Sequence, residues 1–296
     1  MEVVETESPA VRPTLGLGVA MVAISTSAIL VNWSAVPAVV QAFYRVLFTT
    51  LLLAPLAARR HADTLRSLSA RSYLWLAVPG VLLAAHFSLW FESLDWTSVA
   101  ASVTLVQAQP LFVAAGAALL LDERFSRRML AGTAVALAGT VVISLGGLLG
   151  SALGARPLYG NALALGAAVA MAGYVLAGRS FRQRLPVVPY VTVVYGVCAA
   201  ALLAVALATG AELLSYPPRE WLLFLALAVG PGILGHTLIN WSLGHIESGV
   251  VSVSLLSEPV GSTILAFVLL GEVVGPTTIL GGAVVLVGIY VTASDQ

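Results

Sequence analysis

The stretch from Gln109 to Arg124, QPLFVAAGAALLLDER, returns 149 positions later as EPVGSTILAFVLLGEV, from Glu258 to Val273. In that register Pro110 meets Pro259, Leu120 and Leu121 meet Leu269 and Leu270, and Glu123 meets Glu272. Further on, Gly132 meets Gly281 and Gly139 meets Gly288. Apolar coincidences are cheap in an apolar sequence, but two Gly, a Pro and a Glu in one register are not. The chain reads as an internal duplication.

Of 296 residues, 59% are hydrophobic and 9% charged, against roughly 25% charged in a soluble domain. Apolar runs recur, each long enough to cross a hydrocarbon core about 30 Å thick at 1.5 Å per helical residue. Bounded by Arg, Pro and polar clusters, they place spans near 14–35, 38–58, 72–94, 97–121 and 127–149. A second set follows near 157–179, 188–210, 219–243, 247–270 and 275–293. The expected fold is an all-α integral membrane protein of ten transmembrane helices in two repeats, 14–149 and 157–293, behind a polar tail, 1–13. Five spans per repeat is an odd number, so the second copy enters from the opposite face and the repeats are inverted.

The 14 basic residues are all Arg and the net charge is zero, which leaves no basic patch for nucleic acid. Cys198 is the single cysteine, so no intrachain disulfide forms, and no metal or cofactor motif is visible. The first dozen residues are acidic and polar, the wrong charge for the n-region of a cleaved signal peptide. Outside the spans, eleven Arg fall on the side of the N-terminus, including Arg59, Arg60, Arg127, Arg128 and Arg184, and two, Arg156 and Arg219, on the other. The positive-inside rule then puts both termini in the cytoplasm of a multi-pass inner-membrane protein.

A Pro early in a span, a run ending in LLLDER or LLGE, and a Gly-rich helix, GTAVALAGTVVIS at 132–144 or GGAVVLVGIYVTA at 281–293, occur in both halves. This pattern resembles the EamA family of the drug/metabolite transporter superfamily. The resemblance implies ten helices in two inverted repeats, and cargo drawn from amino acids, sugars, nucleotide derivatives or drugs.

A charge at bilayer depth costs at least a few kcal/mol, so it faces the bundle interior, a partner or a wet path. Arg45 lies within the second span with Gln41 one turn earlier, and its guanidinium could hold a substrate carboxylate, snorkel, or pair with an acid such as Glu258. Glu258 lies in the ninth span on a stripe with Glu247, Ser254 and Gly261, and is a candidate carrier of a coupling proton or ligand of a cationic group. Ser98, Ser102 and Gln109 form the matching stripe in the fourth span, and the repeat sets Gln109 against Glu258. His86 with Trp90, and His236 with Asn240, are i, i+4 pairs that correspond at an offset of 150; Trp90 could stack on a planar substrate. Pro110 and Pro259 each remove a backbone hydrogen bond within a span and are candidate hinges. Glu123 and Glu272 end their helices and are expected to cap the start of the helix that follows each.

These residues point to a secondary transporter, an exporter of small metabolites such as amino acids, working by alternating access through a midplane cavity. The chain has no GxxxxGK[ST] motif, so coupling would come from an ion gradient, exchange or the metabolite gradient. The partners expected are a small-molecule substrate, the lipid bilayer and a coupling proton; no oligomer is required. A membrane-embedded enzyme using His86, His236 and Glu258, or an accessory subunit without cargo, is the alternative.

Overall fold

The computed structural model describes residues 13–120, 127–148, 154–182, 184–242, 254–255 and 257–293. Within them the chain is helical, with short connections and no strand. Five helices are long and apolar enough to cross a membrane: Thr14–Trp33, Ala38–Arg60, Ala70–Trp96, Pro157–Gly178 and Val187–Ala208.

The first half holds α1 (Pro13–Ser25), α2 (Ser27–Trp33), α3 (Ala38–Arg60), α4 (Ala62–Ser67), α5 (Ala70–Trp96), α6 (Val99–Val106), α7 (Gln109–Leu120) and α8 (Arg127–Leu148). The second holds α9 (Pro157–Arg182), α10 (Val187–Ala208), α11 (Pro218–Leu227), a π-helical segment (Ala228–Thr237), α12 (Leu238–Ser242), α13 (Ser257–Leu270) and α14 (Pro276–Ala293). Proline marks the beginnings: it is the first residue of α1, α9, α11 and α14 and immediately precedes α3 and α10. Its fixed φ suits a first turn, and its missing N–H would have had no intrahelical partner there.

Among the described residues, three of the expected spans depart from unbroken rods. The first is hitched at Thr26, where Ser25 and Thr26 hydroxyls donate to the carbonyls of Met21 and Ala23. The fourth breaks into α6 and α7 at Gln107–Ala108, so Pro110 does not kink a continuous helix but stands second in a new one. The eighth is wound as π-helix for ten residues around Gly230, Pro231 and Gly232. The short α4, between the second and third spans, was not foreseen.

α5 lies along α9 and packs on α10; α3 packs on α10; α1 packs on the π segment, α12 and α13; and α8 packs along α14. Lipid tails are as apolar as Leu, so such contacts are driven by close packing rather than by expulsion of water, and small residues set the approach. At the α8–α14 crossing a Cβ on Gly139 would lie 2.6 Å from the Gly281 carbonyl oxygen, and one on Gly288 would lie 2.6 Å from that of Gly132. The repeat aligns Gly132 with Gly281 and Gly139 with Gly288; the contact pairs them crosswise.

The terminal Glu of α13 corrects one expectation. Glu272 does not cap α14, the helix that follows it. Its two carboxylate oxygens accept from the backbone N–H groups of Val99 and Ala100, the first residues of α6, at 3.0 and 3.4 Å. Ser98 accepts from Ala101 N at 3.1 Å, so three of the four orphan donors at this helix start are satisfied. The preceding Gly271, at φ 68°, is what aims the carboxylate. It closes α13 with the Glu272 N–H donating to the Ala266 carbonyl at 3.2 Å, a left-handed turn that Gly adopts cheaply. Glu123, the first-half counterpart, and Glu247 lie outside the described residues.

Candidate functional site

A cavity of about 240 Å³ lies among α1 to α3, α5, the α6–α7 break, α9, α10, the π segment and α13. Of the residues singled out in the sequence, Arg45, His86, Trp90, Gln109, His236 and Glu258 line it. They come from both halves of the chain.

Arg45 is 2% exposed. One Nη donates to Ser27 Oγ at 3.0 Å and the other to His236 Nε2 at 3.4 Å. As an acceptor at Nε2, His236 is a neutral imidazole with its proton on Nδ1. The guanidinium lies 4.6 Å from the Phe87 ring centroid and 5.6 Å from that of Phe91, contacts worth about 2 kcal/mol each once water is excluded. Among the described residues two acceptors meet its five N–H groups, which leaves the fork with donors to spare.

Glu258 is the second residue of α13, where the helix dipole favours a carboxylate. It accepts a hydrogen bond from Gln107 Nε2 across the two halves. Gln107 occupies the turn between α6 and α7, and Gln109 opens α7. The N-termini of α7 and α13 therefore face one cavity at a helix break, the arrangement by which broken membrane helices present backbone to a solute. Glu258 and Arg45 share the cavity, and no direct ion pair joins them among the described residues.

His86 donates from Nδ1 to the Ala167 carbonyl at 2.9 Å, since a carbonyl only accepts, and this leaves Nε2 as an acceptor. Its ring stacks on Trp90, centroids 5.9 Å apart and 27° from parallel. With Phe87, Tyr174, Tyr190 and Tyr195 these rings give the cavity an aromatic wall.

Other sequence candidates fall elsewhere. Gln41 is buried outside the cavity wall, and its amide donates to the Val36 carbonyl at 2.7 Å to tie the turn before α3. Ser102 is fully buried and shares a 2.6 Å hydrogen bond with Ser93, which joins α6 to α5. Ser254 is half-buried, off the cavity wall, and its carbonyl accepts from Ser257 at 2.6 Å. Asn240 is in α12, and its side chain lies outside the described residues. Pro259 is buried in the first turn of α13, matching Pro110 in α7.

The sequence reading missed Ser27, Gln107 and the three tyrosines. Gln107 is two residues from the favoured Gln109 and stands just before a proline, a cue to a helix break that would expose it. Tyr174 and Tyr190 stand near span ends, where the interfacial belt accounts for aromatics without function.

A buried Arg and a half-buried Glu line one small cavity in a bundle whose outer flanks are apolar, features suited to a carrier of small solutes. The chain belongs to the EamA-like transporter family, whose pattern it matches twice, at residues 14–145 and 158–294. It is similar to the aromatic amino acid exporter YddG of Ancylobacter novellus, 32% identical over 204 residues, 66% of this chain and 67% of that protein. It is also similar to an uncharacterized transporter of Archaeoglobus fulgidus, 25% identical over 222 residues, 75% of each chain. A crystal structure of a protein 26% identical to it superposes with a TM-score of 0.62 over 94% of this chain and 95% of that one. The chain is thus a multi-pass membrane transporter and not an enzyme.

Proposed function

We propose that this transporter exports a zwitterionic amino acid with an apolar, flat side chain. The carrying observation is that Arg45 and Glu258 face one cavity with no direct ion pair between them among the described residues. Arg45 receives the carboxylate in its fork, Glu258 with Gln107 receives the ammonium, and the aromatic wall receives the side chain. The volume of about 240 Å³ falls just below the roughly 300–1,000 Å³ of drug-sized pockets, which suits a single amino acid. The aromatic cargo in the name of the Ancylobacter relative supports this chemistry.

Ten membrane crossings, an inverted relation of the halves and cytoplasmic termini complete the reading. The register of 149, the crosswise glycine contact and the Arg distribution support it. The two halves then rock about the midplane cavity and expose it to each side in turn. Glu258 is the group that would carry a coupling proton.

Proteoliposomes loaded with radiolabelled tryptophan, tryptamine or indole-3-propionate test the cargo. Release of tryptophan at least about tenfold faster than of either one-charge analogue is expected. Equal release of tryptamine would remove Arg45 from recognition, and equal release of the acid would remove Glu258.

A further inference from the structure

Two carboxylates outside the cavity, one buried and one half-buried, remain to be accounted for, and both join the halves of the chain at one end of the bundle. Glu220, in the first turn of α11, is 3% exposed. Its carboxylate accepts from Ser34 Oγ at 2.6 Å and from the Ala35 N–H at 3.4 Å, in the loop between α2 and α3. Glu272 accepts from Val99 and Ala100 at the start of α6. Each is a second-half side chain closing on first-half donors, backbone N–H groups for Glu272 and a hydroxyl with a backbone N–H for Glu220. Beside them Arg219 donates to the Trp33 carbonyl at 2.9 Å.

The cavity extends toward the other end. Its wall includes Val187, Tyr190 and Val191 in the first turns of α10, whereas α10 finishes at Ala208 beside the loop that leads to Glu220. The cavity wall thus reaches the end of α10 away from the carboxylates, and the hydrogen bonds of Glu220 and Glu272 lie at the other.

We propose that Glu220 and Glu272 are the gate-holding residues of the transport cycle: two carboxylate clamps that close this end while the cavity is loaded from the other, and that must release for the cargo to leave. The proposal rests on the alternating-access reading. The physical basis is that both clamps are charge-assisted and cross between halves that have to separate. Losing a hydrogen bond to a charged group shifts an equilibrium by tenfold or more. The clamps therefore act on the balance of open states and not on cargo contacts.

The test is labelling by a membrane-impermeant maleimide. With Cys198→Ser as background, Leu214→Cys, in a loop position 78% exposed at the clamp end, identifies the membrane face concerned. Val106→Cys then reports access to the cavity from that face. Little labelling is expected with both clamps present, and an increase of about tenfold or more with Glu220→Ala and Glu272→Ala together. Unchanged labelling in this pair overturns the proposal, as does free labelling with both clamps intact. Should the alanine pair fail to fold, Glu220→Met with Glu272→Met decides by the same two outcomes, because it keeps the side-chain length and removes the carboxylate acceptors. Tryptophan release is measured in parallel. Changed labelling without release of any solute leaves the clamps standing and overturns the transport reading instead.

Discussion

Gln107 of the first half donates its amide hydrogen to Glu258 of the second, and it does so from the two-residue gap between α6 and α7. A side chain in an unbroken helix at this depth would have been committed to one face of the rod. The gap lets the amide turn into the cavity, so the helix break and the acid partner belong to one design.

Removing the charge while keeping the shape isolates the role of that acid. Glu258→Gln is expected to retain thermal stability within about 1 kcal/mol, because an amide can still accept from Gln107. Tryptophan release in proteoliposomes should fall at least about tenfold. Full release from the folded variant would take Glu258 out of the cargo site.

Arg45→Lys keeps the charge and loses the fork. A single ammonium cannot serve Ser27, His236 and a cargo carboxylate together, so KM for tryptophan should rise about tenfold or more. Melting followed by fluorescence-detected size exclusion should show the variant still folded. An unchanged KM would mean that the guanidinium geometry is irrelevant to the cargo.

At the α8–α14 crossing, Gly139→Leu places a branched side chain where the Gly281 carbonyl oxygen is 2.6 Å from the first added atom. The helices must move apart, at a cost of about 1–3 kcal/mol or more. A fall in melting temperature of several degrees is expected, with Gly288→Leu behaving alike. Tolerance of both would contradict the close approach.

Gly271→Ala strains the left-handed turn that aims Glu272, costing about 1 kcal/mol. Gly271→Asn should recover part of the loss, since Asn tolerates that conformation. Thermal unfolding of the three chains in detergent reads the order Gly, Asn, Ala, and any other order counts against the turn.

The limits of the helices were largely legible in the sequence because apolar runs, Arg clusters and prolines mark them independently. The interruptions were not. Pro110 reads equally as a kink or as a beginning, and only the turn at Gln107–Ala108 decides between them. Nothing in the composition of 228–237 distinguishes a π-helical winding from an α-helical one, although Gly-Pro-Gly is a cue to irregularity. The site was legible wherever burial of charge is costly, as at Arg45 and Glu258, and wherever the halves echo each other, as at His86 and His236. It was illegible where partners come from distant loops. Glu272 reaches back to Val99 and not on to Pro276, because Gly271 turns the chain, and periodicity along one helix does not encode that direction.

The crosswise glycines carry one consequence beyond packing. When residue i meets j on a partner while j meets i, the contact is isologous, the form taken by interfaces between identical subunits around a two-fold axis. Gly139 with Gly281, and Gly132 with Gly288, have that form within a single chain. The seam between α8 and α14 is thus shaped like a dimer interface whose two partners have been fused. Expressed together as separate polypeptides, the two halves should find each other along it.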